Sequence, residues 1–286
     1  FFNFNFNSTT LNHNPFFFIL ICSFFLFSCG GDKSAESIVV IPDQNNNPGS
    51  GDNDELVWSE EFDYEGSPDS SIWTIEQGDG CPDLCGWGNF EKQYYRKQNI
   101  EVSEGTLKIN IKKESYGGKS FTSGRMKSQG KYSLTYGKVD IKAKLPKNTG
   151  TWPALWLLGE SVSFYSWPTC GEIDIMEQRG DNKSVVLGTL HWGENWENRK
   201  EYSEDSPSVD GLTDDWHIYS VNWTDTSIKI YIDDILYYTM NIDQSHPFND
   251  PFFFVLNVAV GGTLGGDIPS DFPNDVMEID YIRVYQ

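Results

Sequence analysis

Three carboxylates stand within six residues of an otherwise apolar run, Gly171-Glu172-Ile-Asp174-Ile-Met-Glu177. In a regular strand the side chains alternate faces, so Glu172 and Asp174 share a face and Glu177 points the other way. One extra residue, a β-bulge at Ile175-Met176, brings Glu177 back to the first face, and bulges are over-represented beside active sites. Like charges on one sheet face repel, so such a cluster is costly unless it has a use. Retaining glycoside cleavage is a use that fits: it needs two carboxyl groups about 5–5.5 Å apart, one as nucleophile and one as acid/base. A middle acid would raise or share the proton affinity of its neighbours, because close carboxylates do not all ionise easily. Taken alone, the six residues fit equally well a sheet edge whose acids face water.

The elements that must position these acids read as strands. Leu107, Ile109 and Ile111 alternate with Lys108, Asn110 and Lys112, and Val139, Ile141 and Ala143 alternate with Asp140, Lys142 and Lys144. Ile228, Ile230 and Ile232 lead through Asp233-Asp234 into Ile235-Leu236-Tyr237, a two-residue hairpin signal. No segment keeps a helical period over more than two turns. Short strands with regular turns predict an all-β sandwich or jelly roll. The stretch 192–215, acidic and rich in turn formers, reads as a loop and is one place where a block at one end of a cleft could lie.

Bulk properties narrow the function. A formal net charge of −21 and a pI near 4.4 exclude nucleic acid as the expected partner, since phosphates call for a basic surface. They also disfavour a polyanionic substrate, whose approach long-range repulsion would slow. Ten Trp and 15% aromatic residues exceed what a core alone asks for and suit a cleft with flat apolar faces, as sugars require. From Phe16 to Phe27 the chain is almost wholly apolar, but the run is too short for a membrane span. It ends Leu26-Phe-Ser-Cys29-Gly30-Gly31 and looks like a bacterial lipobox, with Cys29 as the lipid-carrying residue. Residue 1 is Phe and no Lys or Arg precedes the run, two departures from an ordinary leader.

The expected organisation is therefore a lipoprotein-type signal over 1–29, a flexible linker over 30–54 rich in Gly, Asn, Asp, Ser and Pro, and one domain over 55–286. The expected location is exported, as an outer-membrane lipoprotein that meets the membrane only through its anchor. A monomer is expected. Cys81 and Cys85 suit a local disulfide outside the cytoplasm, no nearby ligands complete a zinc site with them, and Cys170 reads as a small buried residue.

The motifs resemble glycoside hydrolase family 16, and specifically its laminarinase-like, endo-β-1,3-glucanase members. Trp167-Pro168 followed by Gly171-Glu172-Ile-Asp174-Ile-Met-Glu177 carries the resemblance. So do Leu56-Val-Trp-Ser-Glu-Glu-Phe-Asp63, Gly88-Asn-Phe-Glu-Lys-Gln-Tyr-Tyr95, Ser123-Gly-Arg-Met-Lys127 and Gly150-Thr-Trp-Pro-Ala-Leu-Trp-Leu-Leu158. Thr189-Leu-His-Trp192, Leu256-Asn-Val-Ala-Val-Gly-Gly262 and Met277-Glu-Ile-Asp-Tyr-Ile-Arg-Val-Tyr285 extend it to the C-terminal end.

The resemblance implies a β-jelly-roll sandwich of two curved antiparallel sheets with a concave cleft, and a β-glucan as the polysaccharide partner. It implies Glu172 as nucleophile, Glu177 as acid/base and Asp174 as the residue that orients Glu172. Asn89, Arg125, Trp152, Trp156, Trp167, His191, Trp192 and Asn257 are the substrate-binding residues it points to. Catalysis needs no cofactor. A structural calcium ion on Glu61, the Gly105 carbonyl and Asp280 is a further expectation of the family. Two alternatives stay open: a same-fold hydrolase of mixed-linkage β-1,3-1,4-glucan or agar-type galactan, and a catalytically silent β-glucan-binding protein.

Overall fold

Alternation of buried and exposed side chains makes strands of the segments read as strands, as in Thr106–Ile111, where every second residue is buried. The computed structural model describes residues 55–286; the signal segment with Cys29 and the linker lie outside the described residues. One sheet runs Ile235–Asn241, Ser227–Ile232, His217–Trp223, Gly137–Lys144, Asp275–Tyr285, Thr106–Ile111, Ile100–Ser103, with Leu56–Glu60 also paired to Asp275–Tyr285. The other runs Arg199–Asp205, Leu187–Gly193, Glu172–Glu177, Thr151–Gly159, Phe252–Val260, Arg125–Lys127, Thr74–Ile75. Pairing within both sheets is antiparallel. Among the described residues the helices are 3₁₀ turns and the four-residue Gly262–Gly265. The fold is the jelly-roll sandwich expected.

The core lies between the sheets. Ile109, Ile141, Val221, Ile230 and Ile282 from one sheet and Leu155, Leu157, Ile173, Leu190, Phe254 and Leu256 from the other are fully buried. Each such side chain contributes about 1.5–3 kcal/mol on burial. The alternation that points Leu155 and Leu157 inward points Trp152, Ala154, Trp156 and Leu158 to the outer face of the second sheet. The acids occupy that same outer face. The hairpin at Asp233-Asp234 forms as expected, and Asp233 takes the positive φ of 51° that a two-residue turn asks for.

The stretch 192–215 is not simply a loop. Leu187–Gly193 and Arg199–Asp205 form a hairpin, and Arg199–Asp205 becomes the edge strand of the second sheet. All seven residues of that edge are exposed, so no apolar alternation announces it. Its Arg, Lys, Glu and Asp side chains protect an unpaired edge from pairing with another chain.

Candidate active site

The bulge is where the sequence places it. Glu172 pairs with Leu158, Asp174 with Trp156 and Met176 with Leu155, so Ile175 is the extra residue of its strand. The register on the other side slips between Asp174 and Glu177 in the same way. Glu172, Asp174 and Glu177 therefore share the outer face. Gly171 makes the entry turn with φ of 79°, and a Cβ there would lie 2.8 Å from Phe252, so only glycine feeds the strand this way.

Register across six strands sets the neighbours. Glu172 lies beside His191, which pairs in turn with Glu201. Asp174 lies between Trp156 and Thr189. Glu177 lies beside Ala154, then Asn257, then Arg125. Residues from distant parts of the chain thus form three short rows across one face.

The acids are sunk into that face. Asp174 is 4% exposed and Glu177 8%. Burial, reinforced by the Asp174 carboxylate, pushes Glu172 up to about 8, with His191 and Arg125 opposing the rise. Burial and then Asp174 likewise push Glu177 up to about 8, while the indole N–H of Trp152, donating to Oε1 of Glu177 at 2.8 Å, opposes it. Burial, with Glu201 adding to it, holds Asp174 well above the usual carboxylate range. At neutral pH the cluster keeps protons, which a general acid requires.

Arg125 anchors the far end. Its Nε donates to Glu76 at 2.6 Å, and its guanidinium lies over Trp87 at 4.6 Å and over Trp156 at 4.9 Å. The Trp156 N–H donates to Asn257 at 2.8 Å, and the Asn257 amide donates to the Tyr95 hydroxyl at 3.3 Å. That hydroxyl donates to Glu91, which also receives the Gln93 amide. Asn89 sits in the neighbouring loop, its carbonyl accepting the Thr263 N–H at 3.0 Å. Cys81 and Cys85 brace this loop as a disulfide, and Cys170 is free and buried, both as the sequence reads. At the other end Trp167 lies 5.6 Å from the His191 ring and 5.1 Å from Trp196, which is 56% exposed.

One expected contact is misplaced. His191 faces the acids, so its strand neighbour Trp192 faces away. Trp192 packs on His246 at 5.7 Å and Phe248 at 6.2 Å, half-buried against the edge of the core, so it is not on the acid face. The expected calcium ligands fare no better. Both oxygens of Glu61 accept hydrogen bonds from Arg283 at 2.9 Å, and Asp280 is paired with Lys142 at 2.7 Å. Calcium asks for six to eight oxygen ligands, and here each carboxylate is already neutralised by a cation of the chain. Arranged so, Glu61, Gly105 and Asp280 do not fit the ion.

Trp87, Glu76, Trp196 and Glu201 belong to the site's surroundings and escaped sequence reasoning. Trp87 stands two residues before Asn89 in Gly86-Trp87-Gly88, a signal in hand. Nothing in the sequence around Glu76 singles it out, Glu201 is one of several charges in Arg199–Asp205, and only the sheet register brings Glu201 to His191.

Comparison with known proteins follows the same residues. The model of glycosyl hydrolases family 16 matches residues 89–283. A beta-glucanase of Rhodothermus marinus is 41% identical over 256 residues, covering 81% of this chain and 85% of that protein. Glucan endo-1,3-beta-glucosidase A1 of Niallia circulans is 38% identical over 261 residues, covering 81% of this chain but only 38% of its own length. The laminarinase catalytic domain from Thermotoga maritima superposes with a TM-score of 0.75 at 39% identity, covering 82% of this chain and 99% of that one.

Proposed function

The chain belongs to glycosyl hydrolases family 16, and from that premise we propose that it is an endo-acting, retaining β-1,3-glucanase for laminarin-like polymers. Glu172 reacts in its ionised form: once it has released the proton that burial favours, its carboxylate attacks the anomeric carbon and forms a glycosyl-enzyme intermediate. Glu177, held protonated by burial beside Asp174, gives its proton to the departing oxygen. It then takes a proton from the incoming water, and the Trp152 N–H stabilises its ionised form between the steps. Asp174, buried between the two, sets how many charges the cluster carries. Trp156, Arg125 and Asn257 supply an aromatic and hydrogen-bonding floor on one side, and Trp167 with His191 on the other.

A single observation carries this reading: the bulge at Ile175 that turns three carboxylates, Asp174 and Glu177 buried and Glu172 half-buried, to one face lined with Trp side chains. The relatives named for glucan hydrolysis support the β-1,3 linkage, and the net charge of −21 favours a neutral glucan over a sulfated one. The reading includes export as a monomeric lipoprotein anchored at Cys29, which a mass spectrum of the mature protein tests.

The functional test gives the protein laminarin, curdlan, lichenan and agarose separately, counting reducing ends and following the anomer first released. Mixed short oligosaccharides from laminarin, released as the β-anomer, are expected. Activity on agarose alone would move the substrate to galactans, and the α-anomer as first product would remove Glu172 as nucleophile.

A further inference from the structure

The face that carries the three acids carries a second arrangement of donors. Nε2 of His191 lies 3.4 Å from Oδ2 of Asp174 and 3.7 Å from Oε1 of Glu172. One ligand atom from each of Glu172, Asp174 and His191 lies within 4.8 Å of the others, and among the described residues they are the one group of three or more His, Cys, Asp or Glu so placed. A tetrahedral ion with bonds of about 2.0–2.2 Å holds its ligand atoms about 3.3–3.6 Å apart. The two distances from His191 fall at or just beyond that span.

Two further observations point to a ligand. Asp174 is 4% exposed, yet its Oδ2, the atom turned to His191, has no hydrogen-bond partner. An unsatisfied buried carboxylate oxygen costs several kcal/mol in principle and is seldom kept without reason. Nδ1 of His191 is also without a hydrogen bond, and it faces Oε2 of Glu201 at 3.5 Å across the hairpin. Metal-bound imidazoles commonly turn their second nitrogen to a carboxylate, which fixes the ring and raises its basicity.

We propose that Glu172, Asp174 and His191 form a three-ligand site for a divalent transition cation of the zinc class, with Glu201 as the outer partner of His191, and that occupancy switches the enzyme off. Imidazole with two carboxylates suits zinc or copper, whereas calcium and magnesium take shells of oxygen. The bound ion draws electron density from the Glu172 carboxylate, which weakens it as a nucleophile, and with its water it occupies the space the anomeric carbon must enter. Its fourth position, on the open side of the face, takes water. The site rests on ligand geometry; its inhibitory effect rests on Glu172 being the nucleophile.

Calorimetric titration of the metal-free protein with zinc chloride at pH 7.5 tests the site without reference to activity. One ion per chain is expected, with affinity reduced at least about 30-fold in His191→Gln and about 10-fold in Glu201→Gln, the usual range for an outer partner. Glu201 sits on an exposed edge, so its variant folds even if His191→Gln does not. In the unaltered protein, zinc is expected to inhibit laminarin hydrolysis competitively and EDTA to restore it. Absence of 1:1 binding, or unchanged affinity in both variants, overturns the site. Tight binding with undiminished hydrolysis overturns the switch and leaves the glucanase reading standing. A metal-free protein inert on every glucan sinks that reading, while the titration still decides the site.

Discussion

The hydrogen bond from Trp152 to Glu177 gives the sharpest handle on the assignment of the acid/base. Trp152→Phe keeps an aromatic ring in the buried position and removes the N–H that donates to Oε1 at 2.8 Å. That donor favours the ionised carboxylate, so its loss raises the proton affinity of Glu177. A hydrogen bond to a charged acceptor is worth about 1.5–3 kcal/mol, and about 1.4 kcal/mol corresponds to one pKa unit, so a rise of about 1–2 units follows. The basic limb of kcat/KM, which reports the free enzyme's acid, should fall where burial, pushing Glu177 up to about 8, sets it, and should move up by about one unit or more in the variant. The assay is initial-rate hydrolysis of laminarin from pH 5 to 10. Trp156→Phe is the control, because its N–H donates to Asn257 and not to an acid. A basic limb that stays in place in Trp152→Phe, or moves equally in both variants, would refute Glu177 as the titrating acid.

Glu172→Gln should abolish hydrolysis and also stabilise the fold in a pH-dependent way. Glu172 sits near 8 in the folded protein against an ordinary 4.5, so the folded state binds the extra proton between those values and loses stability as pH rises through them. At pH 7 the penalty is about 3–3.5 kcal/mol, so the variant's melting temperature should exceed the parent's by several degrees at pH 8 and by little at pH 4.5, as calorimetry would record. A gain that does not depend on pH would mean that Glu172 is not held protonated. Trp192→Ala and Trp156→Ala separate the two faces of the sheet. The first should cost stability, by less than the ~3–5 kcal/mol of a fully buried Trp, and change KM for laminarin less than about three-fold, while the second should raise KM strongly; the opposite pattern would return Trp192 to the cleft.

Much of the site was legible because it is local. Glu172, Asp174 and Glu177 occupy one strand, and spacing with a single bulge decides their common face whatever surrounds them. The alternating strands and the Asp233-Asp234 hairpin follow from periods of two and from turn chemistry in the same way. Arg125, Trp152, Trp156 and Asn257 were reached through motifs, not geometry, and the sheet does bring them beside the acids. Trp192 shows where a motif misleads. It belongs to Thr189-Leu-His-Trp192, but alternation sends it to the face opposite His191, a point decided once His191 is fixed by pairing with Glu172.

The sequence by itself determined the all-β class, the bulged acid triplet and a strongly negative net charge, because each depends on residues near one another in the chain or on composition alone. Tertiary structure decided the rest. Strand order brings Glu201 to His191 and Arg125 to Asn257, an edge strand forms with no apolar pattern to mark it, and Arg283 takes the oxygens of Glu61. Pairing register joins residues that no local pattern connects, and burial, which raises the proton affinity of all three acids, exists only once neighbouring strands set Trp152, Trp156 and His191 around them on the outer face.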